Sequence, residues 1–195
     1  GAVVYRPYTV PTDSMAPTIE AGDRVLAQRV DGSQVRRGDV VVFQEQGWGG
    51  VPMVKRVVGV GGDRVACCDR RGRLTVNGRP VVEPYVSDGA ASTSRFAVRV
   101  PRDGLFVLGD RRAESVDSRA RLSEAGHGAV PRGAVVARVD ARVWPLGGMT
   151  MVERPRGFAR LPGGVSEPGP LVSVLVVAAV GAALVFGGAA YGPLQ

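Results

Sequence analysis

The sequence predicts a mainly β domain, antiparallel and either closed or sandwich-like, followed by one transmembrane α-helix. Short Val-rich runs separated by turn residues recur through most of the 195 residues. The 28 Gly and 14 Pro leave little room for a helical bundle. A long run near the end of the chain, by contrast, carries no charge at all.

The strands are expected where Val-rich runs are bounded by Gly, Asp or Asn. A two-residue hairpin turn is predicted at Asn77-Gly78, between Leu74–Val76 and Pro80–Val82. The other predicted strands are Arg24–Val30, Val40–Phe43, Val51–Val60, Phe96–Val100, Leu105–Leu108 and Ala134–Val143.

The uncharged run LVSVLVVAAVGAALVFGGAAY is long enough to cross a bilayer as a helix. The apolar start of the chain is a candidate end of an upstream membrane segment. The expected organisation is therefore a candidate membrane end at 1–9, a β-rich domain at 10–152 with a small inserted sub-region at about 66–104, a Pro/Gly/Arg-rich linker at 153–170, the membrane helix at 171–191 and a tail at 192–195.

Composition excludes several classes of function. Only two cysteines are present, adjacent at Cys67 and Cys68, which rules out a disulfide scaffold and does not match a zinc site. The net charge of +7 is scattered and has almost no aromatic interleaving, so a nucleic-acid partner is not expected. Attraction to membrane lipid is consistent with this charge. We expect no metal and no other cofactor.

Two local patterns contain candidate catalytic residues. Ser14 lies between Pro11 and Pro17, where the backbone is restrained and not helical, although such serines also occur in ordinary loops. Lys55, the only Lys among 25 basic residues, lies in an apolar strand. Burial would lower the pKa of its amine, whereas a head group reaching water would stay charged.

Four blocks of sequence carry a specific resemblance. The blocks lie at 14–19 (SMAPTI), 38–43 (GDVVVF), 55–63 (KRVVGVGGD) and 109–119 (GDRRAESVDSR). In these blocks and their order the chain resembles the bacterial type I signal peptidases, in a Gram-positive-like subtype with a C-terminal transmembrane helix.

The resemblance implies a Ser/Lys dyad, with Ser14 as nucleophile and Lys55 as general base. Thr12 matches the residue whose hydroxyl, together with the N–H of Ser14, stabilises the oxyanion. The residues that would support the dyad lie in the last block, 109–119. In this block Arg111 stands where the family usually has Asn. The matched supporting residues are Ser115, which would orient the Lys amine, the ion pair Asp117 and Arg119, and the turn residues Asp110 and Arg112.

The family removes N-terminal signal peptides from secretory preproteins after a small-x-small motif such as Ala-x-Ala. The resemblance therefore implies preproteins and membrane lipid as partners, a monomer, and a catalytic domain on the extracytoplasmic side of the cytoplasmic membrane. The charges that flank the apolar run favour the opposite orientation. By position, the expected pocket lining is Val10, Pro11, Met15, Ile19 and Val54.

Three other interpretations compete with this one. One is a Ser/Lys self-cleaving protease of the repressor type, against which the uncharged run at 171–191 argues. Another is a Ser/His signal peptidase with the single His127 as base, which fails because Lys55 fits its block and His127 lies outside all four. The third is a membrane-tethered β-rich binding module without catalysis. Cys67 and Cys68 are expected as one buried and one partly exposed thiol, with a disulfide between them as the alternative.

Overall fold

The structure, a computed structural model, describes residues 4–87, 89–171 and 173. These residues form twelve β-strands and one short α-helix, α1 (Arg156–Ala159). The strands are β1 (Tyr5–Thr9), β2 (Arg24–Gln28), β3 (Val40–Gln44), β4 (Pro52–Val60), β5 (Arg64–Cys67), β6 (Leu74–Val76), β7 (Arg79–Pro80), β8 (Phe96–Arg99), β9 (Gly104–Leu108), β10 (Val130–Pro131), β11 (Val135–Trp144) and β12 (Thr150–Met151).

The main sheet contains eight strands in the order β1-β2-β11-β3-β4-β9-β10, with β12 added beside β11. Neighbouring strands pair antiparallel throughout. Within the described residues, β1 and β10 are the ends of this path and do not pair with each other. The predicted mainly β, antiparallel class is confirmed, and the main sheet is open.

A second sheet of four strands, in the order β7-β6-β5-β8, packs on the main sheet. The two sheets share one apolar core, to which β4 and β9 contribute Val58, Phe106 and Leu108. The rings of Phe96 and Phe106 meet across it at 5.6 Å between centroids. This part of the fold is sandwich-like.

Strand β3 explains the continuous apolar run of the second motif block. Val40 and Val42 face one core cluster, and Val41 and Phe43 face another. Because successive side chains on a strand point to opposite faces, a strand buried on both faces needs apolar residues at every position. β3 therefore forms a rigid support for its neighbour β4.

Both ends of the described chain differ from the expected organisation. Tyr5–Thr9, placed by the sequence analysis in a candidate membrane end, form the edge strand β1 against β2. Only Tyr5 and Tyr8 of this strand are half-buried and the other three residues are exposed, which suits an edge strand.

The segment expected as a linker packs against the domain. We call residues 153–171 the strap. Phe158 is fully buried and Leu161 is 5% exposed in the core shared by the two sheets. Ser166 donates a hydrogen bond to the carboxylate of Asp39, and Arg37 Nη1 donates to the carbonyl of Pro162 at 2.7 Å. These contacts tie the strap to the body although its Pro and Gly content is typical of linkers.

The membrane helix predicted over 171–191 lies outside the described residues, apart from Leu171 and Ser173. In the part of the chain that the structure describes, no helix has the length and apolar character needed to cross a bilayer.

Candidate active site

Ser14 lies in a single turn of 3₁₀ helix, Asp13–Met15, that interrupts the chain between β1 and β2. Met15, the last residue of the turn, has no exposed surface and anchors the turn in the core. The carboxylate of Asp13 accepts a hydrogen bond from the backbone N–H of Ala21 at 2.8 Å. The carbonyl of Ser14 accepts one from the N–H of Arg111 at 3.1 Å. The Ser14 side chain is thus held at a defined place while staying partly open to solvent.

Lys55 lies in the middle of β4, opposite Val41 of β3. Its side chain is 3% exposed. β4 pairs with β3 on one side, and on the other side it pairs with β9 only from Arg56 onward. The Lys55 amine is therefore fixed by a strand inside the main sheet, close to an edge that β9 does not cover.

The two side chains meet. Lys55 Nζ lies 2.6 Å from Ser14 Oγ, within hydrogen-bonding distance. Burial lowers the pKa of Lys55 from 10.5 to about 8, because a charged ammonium is poorly solvated there. The carboxylates of Asp117 and Asp110 act in the opposite direction, and the Arg119 guanidinium lowers the pKa further. With a pKa of about 8, roughly a tenth of this amine is unprotonated at pH 7 and about half at pH 8.

The hydroxyl of Thr12 lies 3.2 Å from Ser14 Oγ. Thr12 has extended backbone, directly before the 3₁₀ turn, and its side chain is exposed. Thr12 therefore places a second hydroxyl beside Ser14 Oγ, on the exposed side of the turn.

The loop at 109–119 closes the site from another side. A side chain at Gly109 would clash with Ser115 and with the carbonyl of Ser14, so only glycine permits this approach. Asp117 accepts from the N–H of Gly109 at 3.0 Å. Arg119 holds Asp117 with two hydrogen bonds of 2.8 Å each. The ion pair expected from the sequence is present and fixes the loop beside Ser14 and Lys55.

Arg56 and Asp110 form a second buried ion pair, with hydrogen bonds of 2.8 and 2.7 Å. Thr18 donates to the same carboxylate at 2.6 Å. Asp110 was expected as a turn residue, whereas Arg56 and Thr18 were not singled out. Both belong to the matched blocks, and an Arg directly after Lys55 in an apolar strand was the available signal for a buried charge pair.

Arg112 forms a third pair, with Glu83, through hydrogen bonds of 3.0 and 2.7 Å. Tyr85 packs between the arginines, with its ring centroid 4.0 Å from Arg56 Cζ and 6.0 Å from Arg112 Cζ. Glu83 and Tyr85 come from the segment after β7, far from the motif blocks in sequence, and no local pattern marked them.

Two residues of the last block behave differently from expectation. Ser115 Oγ is buried and has no hydrogen-bond partner among the described residues, so the expected hydrogen bond to the Lys55 amine is not formed. Arg111 contributes its backbone N–H to the carbonyl of Ser14, which any residue could do. Its guanidinium lies 3.3 Å from Glu114 and 3.9 Å from Asp13.

Three of the five predicted pocket residues are core residues instead. Val10, Met15 and Ile19 are at most 2% exposed and pack in the cluster beneath β2, β3 and β11. Pro11 is exposed and Val54 is half-buried. An apolar residue next to a nucleophile can face the core as readily as a substrate, and here the core takes the larger side chains.

His127 has no part in this arrangement. It is exposed in a turn with φ of 51°, and its Nδ1 lies 3.4 Å from the carbonyl of Leu122. The basic side chain that contacts Ser14 Oγ is Lys55. The structure joins Cys67 and Cys68 in a disulfide, so the expectation of two free thiols is wrong and the alternative holds. The described residues contain no cluster of His, Cys, Asp or Glu suited to a metal ion.

Comparison with known proteins gives one consistent result. The family model described as signal peptidase, peptidase S26, matches residues 1–144. This chain belongs to the signal peptidase family. Signal peptidase I of Bacillus caldolyticus is 36% identical over 159 residues, which cover 73% of this chain and 81% of the relative. Signal peptidase I of Leptolyngbya laminosa is 32% identical over 146 residues, covering 70% and 68% respectively.

A crystal structure of signal peptidase I from Enterococcus faecalis V583 is also similar. It is 27% identical, and the match covers 53% of this chain and 94% of that one, with a TM-score of 0.44. As a member of the signal peptidase family, the chain is an enzyme, a hydrolase of the serine endopeptidase class. The resemblance found in the four motif blocks is thereby confirmed at the level of the family.

Proposed function

We propose that this chain removes N-terminal signal peptides from secreted preproteins, with Ser14 as nucleophile and Lys55 as general base. The observation that carries the proposal is the distance of 2.6 Å between Lys55 Nζ and Ser14 Oγ, at a buried amine whose pKa is lowered to about 8. The curated relatives named signal peptidase I support the substrate class.

In the proposed reaction, neutral Lys55 takes the proton from Ser14 Oγ as the oxygen attacks the scissile carbonyl carbon. The resulting ammonium returns this proton to the leaving amine, the C–N bond breaks, and an acyl-enzyme ester remains on Ser14. Lys55 then removes a proton from a water molecule as the water oxygen attacks the ester carbon. The ammonium gives this proton to Ser14 Oγ as the ester C–O bond breaks, which releases the carboxyl product and restores the Ser14 hydroxyl. An Arg could not perform these transfers because it stays protonated.

Negative charge on the carbonyl oxygen would be stabilised by the hydroxyl of Thr12 and the N–H of Ser14. Thr12 Oγ1 lies 3.2 Å from Ser14 Oγ, so it can reach an oxygen bonded to the attacked carbon. The ion pairs of Asp117 with Arg119 and of Asp110 with Arg56 would hold the surrounding loops during these steps. The unpartnered Ser115 Oγ stays a candidate for orienting the amine once substrate is bound.

The substrate would bind as an added strand. Pro52–Lys55 pair with β3 on one side, and no described strand pairs with their other edge before β9 begins at Arg56. An extended peptide can hydrogen-bond to such an edge and pass Ser14. With Val10, Met15 and Ile19 sealed in the core, only shallow apolar surface near Pro11 and Val54 would receive side chains. This geometry favours small residues such as those of an Ala-x-Ala motif.

The uncharged run at 171–191 supports a C-terminal membrane anchor, as in the subtype expected from the sequence. The catalytic domain would then act as a monomer on the extracytoplasmic side of the cytoplasmic membrane, where preproteins emerge. No cofactor is needed, because the dyad supplies both nucleophile and base.

The decisive experiment is cleavage of a preprotein by the full chain in detergent, comparing Ser14→Ala, Lys55→Ala and Lys55→Arg with wild type. All three variants should lose activity by several orders of magnitude, and the exposed Ser33→Ala should match wild type. Cleavage by Lys55→Arg above the Ser14→Ala background would refute the role of Lys55. A substrate with Phe directly before the cut should resist cleavage, and its efficient processing would refute the small-residue preference.

A further inference from the structure

A groove of about 990 Å³ lies between the end of the second sheet and the strap. Its walls are mostly apolar, and Val82 in particular is 60% exposed. Gly157 of α1 passes so close to the carbonyl of Val82 that a side chain there would clash, which sets the width of the groove at this point. Other apolar residues of the walls are Pro80, Pro84, Met151, Leu161 and Val165.

Of the four arginines that line the groove, Arg154 is held by Asp140, and the other three are Arg79, Arg156 and Arg160. All three are exposed, and none has a side-chain hydrogen bond or ion pair with the described residues. This differs from the arginines of the active site, each of which is held by a carboxylate. One carboxylate, that of Glu153, also lines the groove. The groove therefore combines apolar walls with an excess of free positive charge.

The groove is fixed next to the point where the uncharged run begins. Pro168 lines it, and the run starts at Leu171. The strap cannot easily move away, because Ser166 donates to buried Asp39 and Arg154 Nη2 donates to Asp140 at 2.6 Å. A groove three residues from a membrane-anchor sequence would lie at the level of the lipid head groups.

We propose that this groove binds an anionic phospholipid, with the phosphate on Arg79, Arg156 and Arg160 and the start of the acyl chains against Val82 and its apolar neighbours. The site rests on the proposed membrane anchoring at 171–191. It would fix the orientation of the catalytic domain on the membrane surface, because lipid is held by both the second sheet and the strap. An apolar wall alone would accept any lipid, whereas the arginines select negative charge.

The test is lipid binding by the full chain in a non-ionic detergent, with dioctanoyl phosphatidylglycerol as the probe and dioctanoyl phosphatidylcholine and glycerol 3-phosphate as comparisons. The variant is the triple substitution Arg79→Gln, Arg156→Gln and Arg160→Gln. Its matched control removes the same charge at exposed arginines outside the groove, with Arg70→Gln, Arg71→Gln and Arg95→Gln. A second variant, Val82→Asp, tests the apolar wall.

Phosphatidylglycerol should bind wild type and control alike and bind the triple variant at least about tenfold more weakly, because each Arg near anionic lipid is worth about fivefold. Val82→Asp should also weaken binding. Equal binding to the triple variant, an equal loss in the control, or glycerol 3-phosphate binding as tightly as the lipid would each overturn the proposal.

Preprotein cleavage in detergent without anionic lipid is measured separately. If the triple variant still cleaves the preprotein, the peptidase assignment stands whatever the lipid result. If wild type does not cleave the preprotein, the peptidase assignment is refuted and the lipid result is not affected.

Discussion

Arg56 follows Lys55 in β4 and forms a two-point ion pair with Asp110, with both side chains at most 1% exposed. The strand thus carries two basic side chains in adjacent positions, one in surroundings that stabilise its charge and one in surroundings that do not. Arg56 is charged, fully paired and stacked on Tyr85, whereas Lys55 is buried beside Ser14 without a carboxylate contact. Because both oxygens of Asp110 accept from Arg56, Lys55 makes no hydrogen bond to this carboxylate, although the charge of Asp110 still raises the pKa of the Lys55 amine against the larger effect of burial.

Replacing Asp110 with Asn should lower the free energy of unfolding by about 3–5 kcal/mol, because Arg56 would stay buried without its counter-charge. The pKa of Lys55 should fall further, since the Asp110 carboxylate raises it. Denaturant unfolding measures the first effect and the pH dependence of cleavage the second. Asp103→Asn, at an exposed turn, is the control, and equal stability of the two variants would contradict the role of the pair.

Lys55→Met should abolish cleavage and stabilise the fold at neutral pH. The folded-state pKa of about 8 lies below the ordinary value of 10.5, so burying Lys55 costs about 3 kcal/mol at pH 7. Between these two pH values the unfolded chain binds more protons than the folded one, and the stability of wild type therefore rises with pH.

The measurement for Lys55→Met is the thermal unfolding midpoint of variant and wild type at pH 7 and at pH 10. The variant should unfold at the higher temperature at pH 7, and the two midpoints should converge towards pH 10. A stabilisation of the same size at both pH values would show that the packing of the Met side chain, and not the removed charge of Lys55, causes the effect.

Thr12→Val should lower kcat by about 10²–10³ with little change in KM, the usual effect of removing one oxyanion donor. The side chain is exposed, so the fold should be unaffected. Thr12→Ser keeps the hydroxyl 3.2 Å from Ser14 Oγ and should retain activity within a few fold. The measurement is kcat and KM of both variants on a preprotein. A Val variant as active as the Ser variant would exclude Thr12 from oxyanion stabilisation.

Phe158→Ala tests whether the strap belongs to the fold. Phe158 is fully buried in the core shared by the two sheets, so its truncation should cost about 3–5 kcal/mol of unfolding free energy. Leu146→Ala, at a side chain 67% exposed, should change stability by less than about 0.5 kcal/mol. Denaturant unfolding measures both values. If the free energy of unfolding changed as little in Phe158→Ala as in Leu146→Ala, residues 153–170 would behave as the linker expected from the sequence.

The strands could be predicted where apolar character and turn residues agree. The Val-rich runs of β3, β4, β9 and β11 were all expected close to their observed bounds. β1 was missed because Tyr5–Thr9 contain a proline and polar residues, which an edge strand tolerates. The Pro and Gly content of the strap predicts a linker, and this prediction fails because a few side chains, chiefly Phe158 and Ser166, anchor the segment to the core.

Of the candidate site, the sequence indicated Ser14, Lys55 and Thr12, and the fold brings these three together. It could not separate core from pocket at Val10, Met15 and Ile19, since an apolar side chain suits both. The position of Arg56 in an apolar strand signals a buried charge, but local sequence does not show that its partner is Asp110, 54 residues later.

The central claim is that Lys55 is neutral enough near pH 8 to act as a base on Ser14. Because Lys55 is the only lysine of the chain, ¹⁵N-labelled lysine gives a single Nζ signal whose titration can be followed by NMR. The expected pKa is about 8. A value near the ordinary 10.4 in the folded chain would contradict the proposed mechanism.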